Sequence, residues 1–310
     1  MALYVVKRVL LTIPVLFATA LLIFGIFQLI PGDVVQASMT QKLMTTAEQD
    51  AIREALGLNK PVLERAAAYA GALAQGDMGR SFRTGQPVLT MLMSQLPYTL
   101  ILIAASLFVA VLIGIPLGLA AALRRNSWVD SSAMTVSVLG ASIPQYWLGL
   151  VLILIIAVDL RWLPATGSAG FQTLILPAIA LGIGQMAIIA RLTRSEMVEV
   201  LQSDYVRTAE AKGLGRRTVV MGHAFRNSLI PIVTMLGLQV GALLGGAVVI
   251  EVVFARPGLG TIVVQSILKR DIPVIQGGIL MIAAIFVLVN LVVDVSYSFL
   301  DPRIRTGEGS

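Results

Sequence analysis

Uncharged apolar runs recur six times along the chain, at 9–30, 98–123, 133–158, 171–190, 228–250 and 274–293. Each is near the ~20 residues that a helix needs to cross a ~30 Å hydrocarbon core. A helix of that length satisfies its backbone hydrogen bonds internally, as lipid requires, whereas a membrane barrel would show alternating strands of about ten residues, and that pattern is missing. The expected fold is all-α, a polytopic membrane protein with six transmembrane helices. Lys7 and Arg8 ahead of an apolar run, with Val35-Gln36-Ala37 after it, resemble a secretory signal and its cleavage site. The run is longer than the ~7–15 residues of a signal core, so it predicts a retained first helix.

The segments between the runs carry patterns of their own. In 31–97, Thr45 with Glu48 three residues on forms a capping box, and Ala51, Ile52, Ala55 and Leu56 share a face before Gly57. Pro61 opens a second helical stretch to about Ala74, and Gly76-Asp77-Met78-Gly79 reads as a turn. In 191–227, Ser203-Asp204 stands where a cap would start a helix over 205–212, Gly213-Leu214-Gly215 breaks it, and 216–226 resumes it before Pro231. Such a segment is far longer than the 2–8 residues that usually join two helices, which points to a compact, partner-binding knob.

Composition removes whole classes of function. Of the 310 residues 57% are apolar and only 13% charged, too few polar groups to wet a soluble globule. The chain has no cysteine and one histidine, His223, so disulfides, thiolate or histidine-rich metal sites and cysteine nucleophiles are excluded. The net charge of +6 reflects basic loops rather than nucleic-acid binding, because no basic patch is interleaved with aromatic stacking platforms. Seven basic residues lie in 191–227, two more are Arg124 and Arg125, and Lys7 and Arg8 mark the amino terminus. The positive-inside rule makes these segments cytoplasmic, and an even number of spans puts both termini on that side. The segment 31–97 balances six basic against six acidic residues and is predicted to be external.

Polar side chains inside spans are costly and usually face a bundle interior, which nominates Gln145, Gln185, Gln239, Gln276 and Asn290 as pathway candidates, with helix–helix hydrogen bonding as the alternative role. Glu251 and Asp294, near span ends, are expected to anchor structure. Gly114-x-x-x-Gly118 and Gly241-x-x-x-Gly245 permit close helix packing, within the chain or at a subunit interface. Pro14, Pro116, Pro144 and Pro177 can kink spans, and Trp128, Trp147 and Trp162 fit anchoring at the membrane interface.

The run Asp204-Tyr205-Val206-Arg207-Thr208-Ala209-Glu210-Ala211-Lys212-Gly213-Leu214-Gly215, followed by His223-Ala224-Phe225-Arg226-Asn227-Ser228-Leu229-Ile230-Pro231, resembles the coupling-loop motif of ABC importer permeases. More narrowly, it is similar to the B-type subunit of the dipeptide and oligopeptide permease family. The resemblance extends through Ile30-Pro31-Gly32-Asp33, Leu56-Gly57-Leu58-Asn59-Lys60-Pro61, Gly76-Asp77-Met78-Gly79-Arg80-Ser81, Pro144-Gln145-Tyr146-Trp147-Leu148-Gly149, Trp162-Leu163-Pro164, Phe254-Ala255-Arg256-Pro257-Gly258-Leu259-Gly260 and Leu300-Asp301-Pro302-Arg303. It covers essentially the whole chain as one permease domain, 1–310, with an external helical loop at 31–97 and the coupling loop at 191–227. One departure is that Arg207-Thr208-Ala209 stands where importers generally begin the motif with an acidic residue and two alanines.

The resemblance implies a transport subunit of the bacterial inner membrane rather than an enzyme. It implies a heterodimer with a homologous second permease, two ATPase subunits and an external substrate-binding protein. No phosphate-cradling Gly-x-x-x-x-Gly-Lys-Ser/Thr occurs in the chain, so ATP and Mg are expected on the ATPase subunits, with no cofactor or metal here. Coupling is then expected from Arg207, Thr208, Ala209, Glu210, Lys212, Gly213, Leu214, Gly215 and Arg216. In that role the glycines set the knob's shape, Ala209 is small enough to enter a cleft, and the charges orient it. Peptides are the expected substrate, with glutathione, nickel chelates and oligosaccharides as alternatives within the family. An ion-coupled secondary transporter is the alternative of another class, and it would need buried ionisable residues at midspan, which the six runs lack.

Overall fold

The computed structural model describes residues 2–29 and 59–300. The helix expected around Thr45 and Glu48, and the motifs at 31–58 and 301–303, lie outside the described residues. Those residues form two compact units, Met1–Tyr98 with Pro257–Leu291, and Thr99–Arg256 with Val292–Ser310. Five helices are long and apolar enough to cross a membrane, and a bent pair makes a sixth if it is one span.

In the first unit, α1 (Ala2–Leu29) pairs with α2 (Val62–Ala74), the second helix that the sequence predicted in the loop. Phe24 stacks on Tyr69 with ring centroids 5.5 Å apart, and Arg65 donates to Gln28 at 3.0 Å. Burial pushes the Tyr69 phenol up. The predicted turn follows: Gly76 and Gly79 adopt φ of 78° and 80°, and the Gly79 N–H donates to the Asp77 carboxylate at 2.8 Å. The next element, α3 (Val88–Leu123), begins ten residues before the apolar run itself. Its first turns pack Val88 and Leu92 against α9 (Leu259–Lys269) and α10 (Ile272–Leu300). Asp271, buried just ahead of α10, accepts from the Ser81 hydroxyl and the Phe82 N–H and so ties the post-turn segment to the α9–α10 corner. The sequence reading had no place for α9, whose apolar stretch is too short to count as a span.

The second unit is built around α6 (Gln172–Leu201). Ser106, Ala110, Gly114 and Gly118 of α3 lie four residues apart, hence along one ridge, and α6 presses on that ridge with Gly182, Met186, Ile189 and Thr193. A Cβ at Gly118 would stand 2.4 Å from the Ala190 carbonyl oxygen, and one at Gly182 would stand 2.6 Å from that of Ser106. The Gly114/Gly118 pair therefore packs within the chain. Gly245 is different, since nothing lies within 4 Å of its missing side chain.

The third apolar run departs from expectation. One span was predicted over 133–158, with Pro144 able to kink it, and the chain forms α4 (Trp128–Ser142) at 98° to the segment Gln145–Asp159, which is α5 (Gln145–Leu152) followed by a π-helical stretch, Ile153–Asp159. The cause is Pro144: it has no N–H for the Gly140 carbonyl, and it pushes Ile143 to an extended ψ of 124°. Where α4 starts, the Ser127 hydroxyl accepts from the Asp130 N–H, and the Asp130 carboxylate takes a two-point grip from Arg194 of α6. The fifth run forms α8 (Arg226–Val253), which passes through Pro231 unbroken. At its end the buried Glu251 accepts from the Thr99 hydroxyl of α3 at 2.5 Å, which bears out the anchoring role.

Two stability predictions follow from this packing. Gly118→Val overpacks the α3–α6 seam and costs about 1–3 kcal/mol, whereas Gly245→Ala is neutral, as read by thermal unfolding in detergent. Asp130→Ala, which strands the Arg194 guanidinium, lowers the midpoint more than Glu64→Ala, which removes only an exposed pair with Lys60.

Candidate functional site

The predicted knob is present. After α6 ends at Leu201, Ser203 takes the extended N-cap conformation and α7 (Asp204–Ala211) begins. Ser203 fills the cap position without capping, since its hydroxyl donates back to the Val200 carbonyl at 2.6 Å. Thr208 likewise donates to the Asp204 carbonyl at 2.8 Å. At the far end Gly213 turns left-handed, φ 78°, and its N–H bonds the Glu210 carbonyl at 2.9 Å. That conformation is cheap only for glycine, and it stops α7 where the sequence placed the break. Gly215 then leads into a helical turn, Arg216–Thr218, and a π-helical stretch, Val219–Phe225, that runs directly into α8.

The knob has a dry underside and a wet outer face. Val206 and Ala209 of α7 pack with Val219, Val220 and Ala224 of the return stretch, with Met197 of α6, and with Ala122 at the end of α3. The Asn227 side chain donates to the Tyr205 hydroxyl at 2.9 Å, and Ser228 donates to the Phe225 carbonyl at 2.9 Å. Ala209 thus faces inward and is 8% exposed, so it belongs to the knob's own core. Tyr205, Arg207, Thr208, Glu210, Lys212, Gly213, Leu214, Gly215, Arg216 and Arg217 are exposed on the outside. Tyr205 and Leu214, each 42% exposed, give this charged face two apolar contacts, and the sequence reading had passed over Tyr205. The nearest ion pair on α7, Arg207 to Asp204 at 3.9 Å between solvated side chains, leaves the cations available.

The pathway candidates are dispersed. Gln185 and Gln239 are buried on α6 and α8, and Gln276 and Asn290 are half-buried on α10. Gln145 opens α5, with its side chain against Gly184 of α6 and Gly246 of α8. The Gln185 Oε1 is buried without a hydrogen-bond partner, and no hydrogen bond among the described residues joins any two of the five. The Asp130–Arg194 grip and the Ser81–Asp271 latch were not anticipated, although Ser127-Trp128-Val129-Asp130 is a capping pattern that could have marked the start of α4. Among the described residues no group of three His, Asp or Glu side chains gathers as a metal site would require.

Two family models match the chain: a binding-protein-dependent transport system inner membrane component over residues 114–306, and the N-terminal part of such membrane components over residues 1–103. The chain is 42% identical to a dipeptide transport system permease protein of Alkalihalophilus pseudofirmus, over 97% of this chain and 99% of the relative. It is 42% identical to a di/tripeptide transport system permease protein of Pseudomonas aeruginosa and 43% identical to a glutathione transport system permease protein of Escherichia coli, in each case over 97% of this chain and 98% of the relative. Among solved structures it resembles an inward-facing MetNI methionine ABC transporter, with a TM-score of 0.60 and 19% identity over 69% of this chain and 97% of that one, a likeness of fold. The chain belongs to the family of binding-protein-dependent transport system inner membrane components, the permease subunits of ABC importers.

Proposed function

We propose that this permease forms half of the translocation pathway of an ATP-driven importer of short peptides in a bacterial inner membrane, beside a homologous second permease. The observation that carries the reading is the knob, a rigid, charged, solvent-facing projection with a core of its own in a chain that has no nucleotide-binding loop. The similarity to dipeptide and di/tripeptide permeases supports peptides as the substrate. The similarity to a glutathione permease fits the same class, since glutathione is itself a short peptide.

In this reading the concentration of basic residues in 191–227 puts the knob and both termini on the cytoplasmic side. Two ATPase subunits bind ATP and Mg and close on each other, and one of them grips the outer face of α7. Arg207, Lys212 and Arg216 meet acidic groups on the ATPase, Glu210 meets a basic one, and Tyr205 and Leu214 fill apolar recesses. Gly213 and Gly215 hold the shape that presents them, and Ala209 keeps the underside packed. On the outer side, an external binding protein delivers the peptide to the loop at 31–97. Gln145, Gln185, Gln239, Gln276 and Asn290 are the candidates to line the path.

The test is peptide uptake and ATP hydrolysis by the assembled complex in liposomes. Gly213→Pro cannot adopt a φ of 78° and abolishes ATP-dependent uptake. Arg207→Glu, on an exposed side chain that the fold does not use, lowers uptake by about tenfold, equivalent to ~1.4 kcal/mol of coupling. Uptake unaffected by both substitutions, or uptake driven by an ion gradient without ATP, would remove the importer mechanism.

A further inference from the structure

The first turns of α4 set one face against the protein and another away from it. Asp130, Ala133 and Ser137 are buried, and a Cβ at Gly140 would stand 3.2 Å from Ile183 of α6, so this side of the helix lies on α6. The outward side opens with Trp128, 78% exposed, and continues through Ser131, Ser132 and Thr135, all of them exposed. Steps of three, four and seven residues from Trp128 put these four side chains on one face. Beyond them the exposed positions turn apolar at Val136 and Leu139.

The three hydroxyls behave differently from the two that follow on the same helix. Ser137 and Ser142 each donate to the carbonyl four residues back at 2.8 Å, which satisfies a hydroxyl in apolar surroundings. Ser131, Ser132 and Thr135 make no side-chain hydrogen bond to any described residue, so all three remain open on the outward face. Just ahead of them, Arg124 and Arg125 are exposed, and neither guanidinium has a hydrogen bond or ion pair among the described residues. The single acidic residue in 121–142 is Asp130, which is buried on the opposite face and gripped through both oxygens by Arg194. The turn thus carries two cations that no acidic group within it answers.

The groups follow the order of a bilayer leaflet read from water inwards: cations, an indole, hydroxyls, then aliphatic side chains. The helix α3 ends at Leu123, immediately before the arginines, so the turn stands where hydrocarbon gives way to headgroups. Trp128 to Thr135 covers about 10 Å of helix axis, on the order of the headgroup and glycerol layer. Ala122 and Leu123 pack on the core of the knob, which assigns the turn to the knob's side of the membrane.

We propose that this face binds an anionic phospholipid of the leaflet on the knob's side. Arg124 and Arg125 take the charged headgroup, Ser131, Ser132 and Thr135 hydrogen-bond the glycerol and ester oxygens beneath it, and Trp128 lies at the level between them. Charge complementarity selects the lipid, because a zwitterionic headgroup brings its own cation to the arginines and an anionic one does not. The site requires only that the chain spans a membrane, and it stands whatever solute the permease carries.

The test uses the assembled complex in detergent, titrated with brominated phosphatidylglycerol or brominated phosphatidylcholine. Bromine on the acyl chains quenches nearby indoles, and the part of the quenching that disappears in Trp128→Phe reports this site. The wild-type complex is expected to bind the anionic lipid about tenfold more tightly than the zwitterionic one. Arg124→Gln with Arg125→Gln is expected to bring that ratio close to one while leaving the thermal midpoint in lipid-free detergent unchanged, since the fold makes no use of either guanidinium. Ser131→Ala, Ser132→Ala and Thr135→Val together are expected to weaken both lipids about threefold and keep their ratio, because the two lipids share their glycerol esters. Equal affinity for the two lipids in the wild type, or a preference that survives loss of both arginines, would overturn the proposal. Trp128 left unquenched by either lipid would overturn it as well and assign the face to contact with a neighbouring subunit.

Discussion

The close approach of α3 and α6 carries the second unit. Neither helix gains from burying apolar surface against the other when lipid is equally apolar, so their association rests on contact between backbones and on dispersion. That is why Ser106, Ala110, Gly114 and Gly118 recur every four residues on α3 and why α6 answers with Gly182 opposite Ser106. A larger side chain anywhere along this ridge would lever the helices apart and take the remaining contacts with it. The seam makes α6 the post of the unit, and α4, α5 and α8 each pack on it. The Asp130–Arg194 grip adds a polar clasp to the same post where α4 begins.

The knob inherits its stiffness from this post. Its core residues pack on Met197 of α6 and Ala122 of α3, so the far ends of both seam helices are built into the knob's underside. A force on α7 therefore reaches two spans through packed side chains and a third, α8, through the continuous helical return stretch. The left-handed turn at Gly213 lies outside that core, on the exposed rim. It shapes the exposed outer face without belonging to the packed underside.

How far this could be read from sequence depends on whether a feature is local. Length and apolarity revealed the spans, the glycine break revealed the end of α7, and Pro61 with Gly76 and Gly79 revealed α2 and its turn, because each depends on neighbouring residues alone. The bend at Pro144 was also local, and the proline marked a place where the span can kink, but the uniform apolarity of 133–158 gave no sign that the helix stopped there. A membrane span needs no hydrophobic periodicity, so periodicity could not show that the helix had stopped. Partners were not legible. Nothing in the sequence pairs Asp130 with Arg194 or Ser81 with Asp271, and Gly114 could not reveal whether it faced its own chain or another. Ala209 shows the same limit within the site: a small residue in a coupling motif suits a cleft in a partner and its own knob's core equally well, and only packing decides.

Two of the proline-containing spans show that the residue matters less than the backbone on either side of it. Pro231 sits inside α8 and the helix continues, because the residues before it stay helical and the deficit is confined to one lost bond. At Pro144 the preceding Ile143 turns extended, so several consecutive donors and acceptors are released together and the two helices diverge by 98°. One missing bond can be absorbed by a shift within the helix. A cluster of them cannot, and within an apolar segment it persists only where something polar repays it. The glycines opposite Gln145 act from the side: with no Cβ at Gly184 or Gly246, the backbones of α6 and α8 close on its side chain, so the start of α5 is held by packing where the third span forgoes hydrogen bonds.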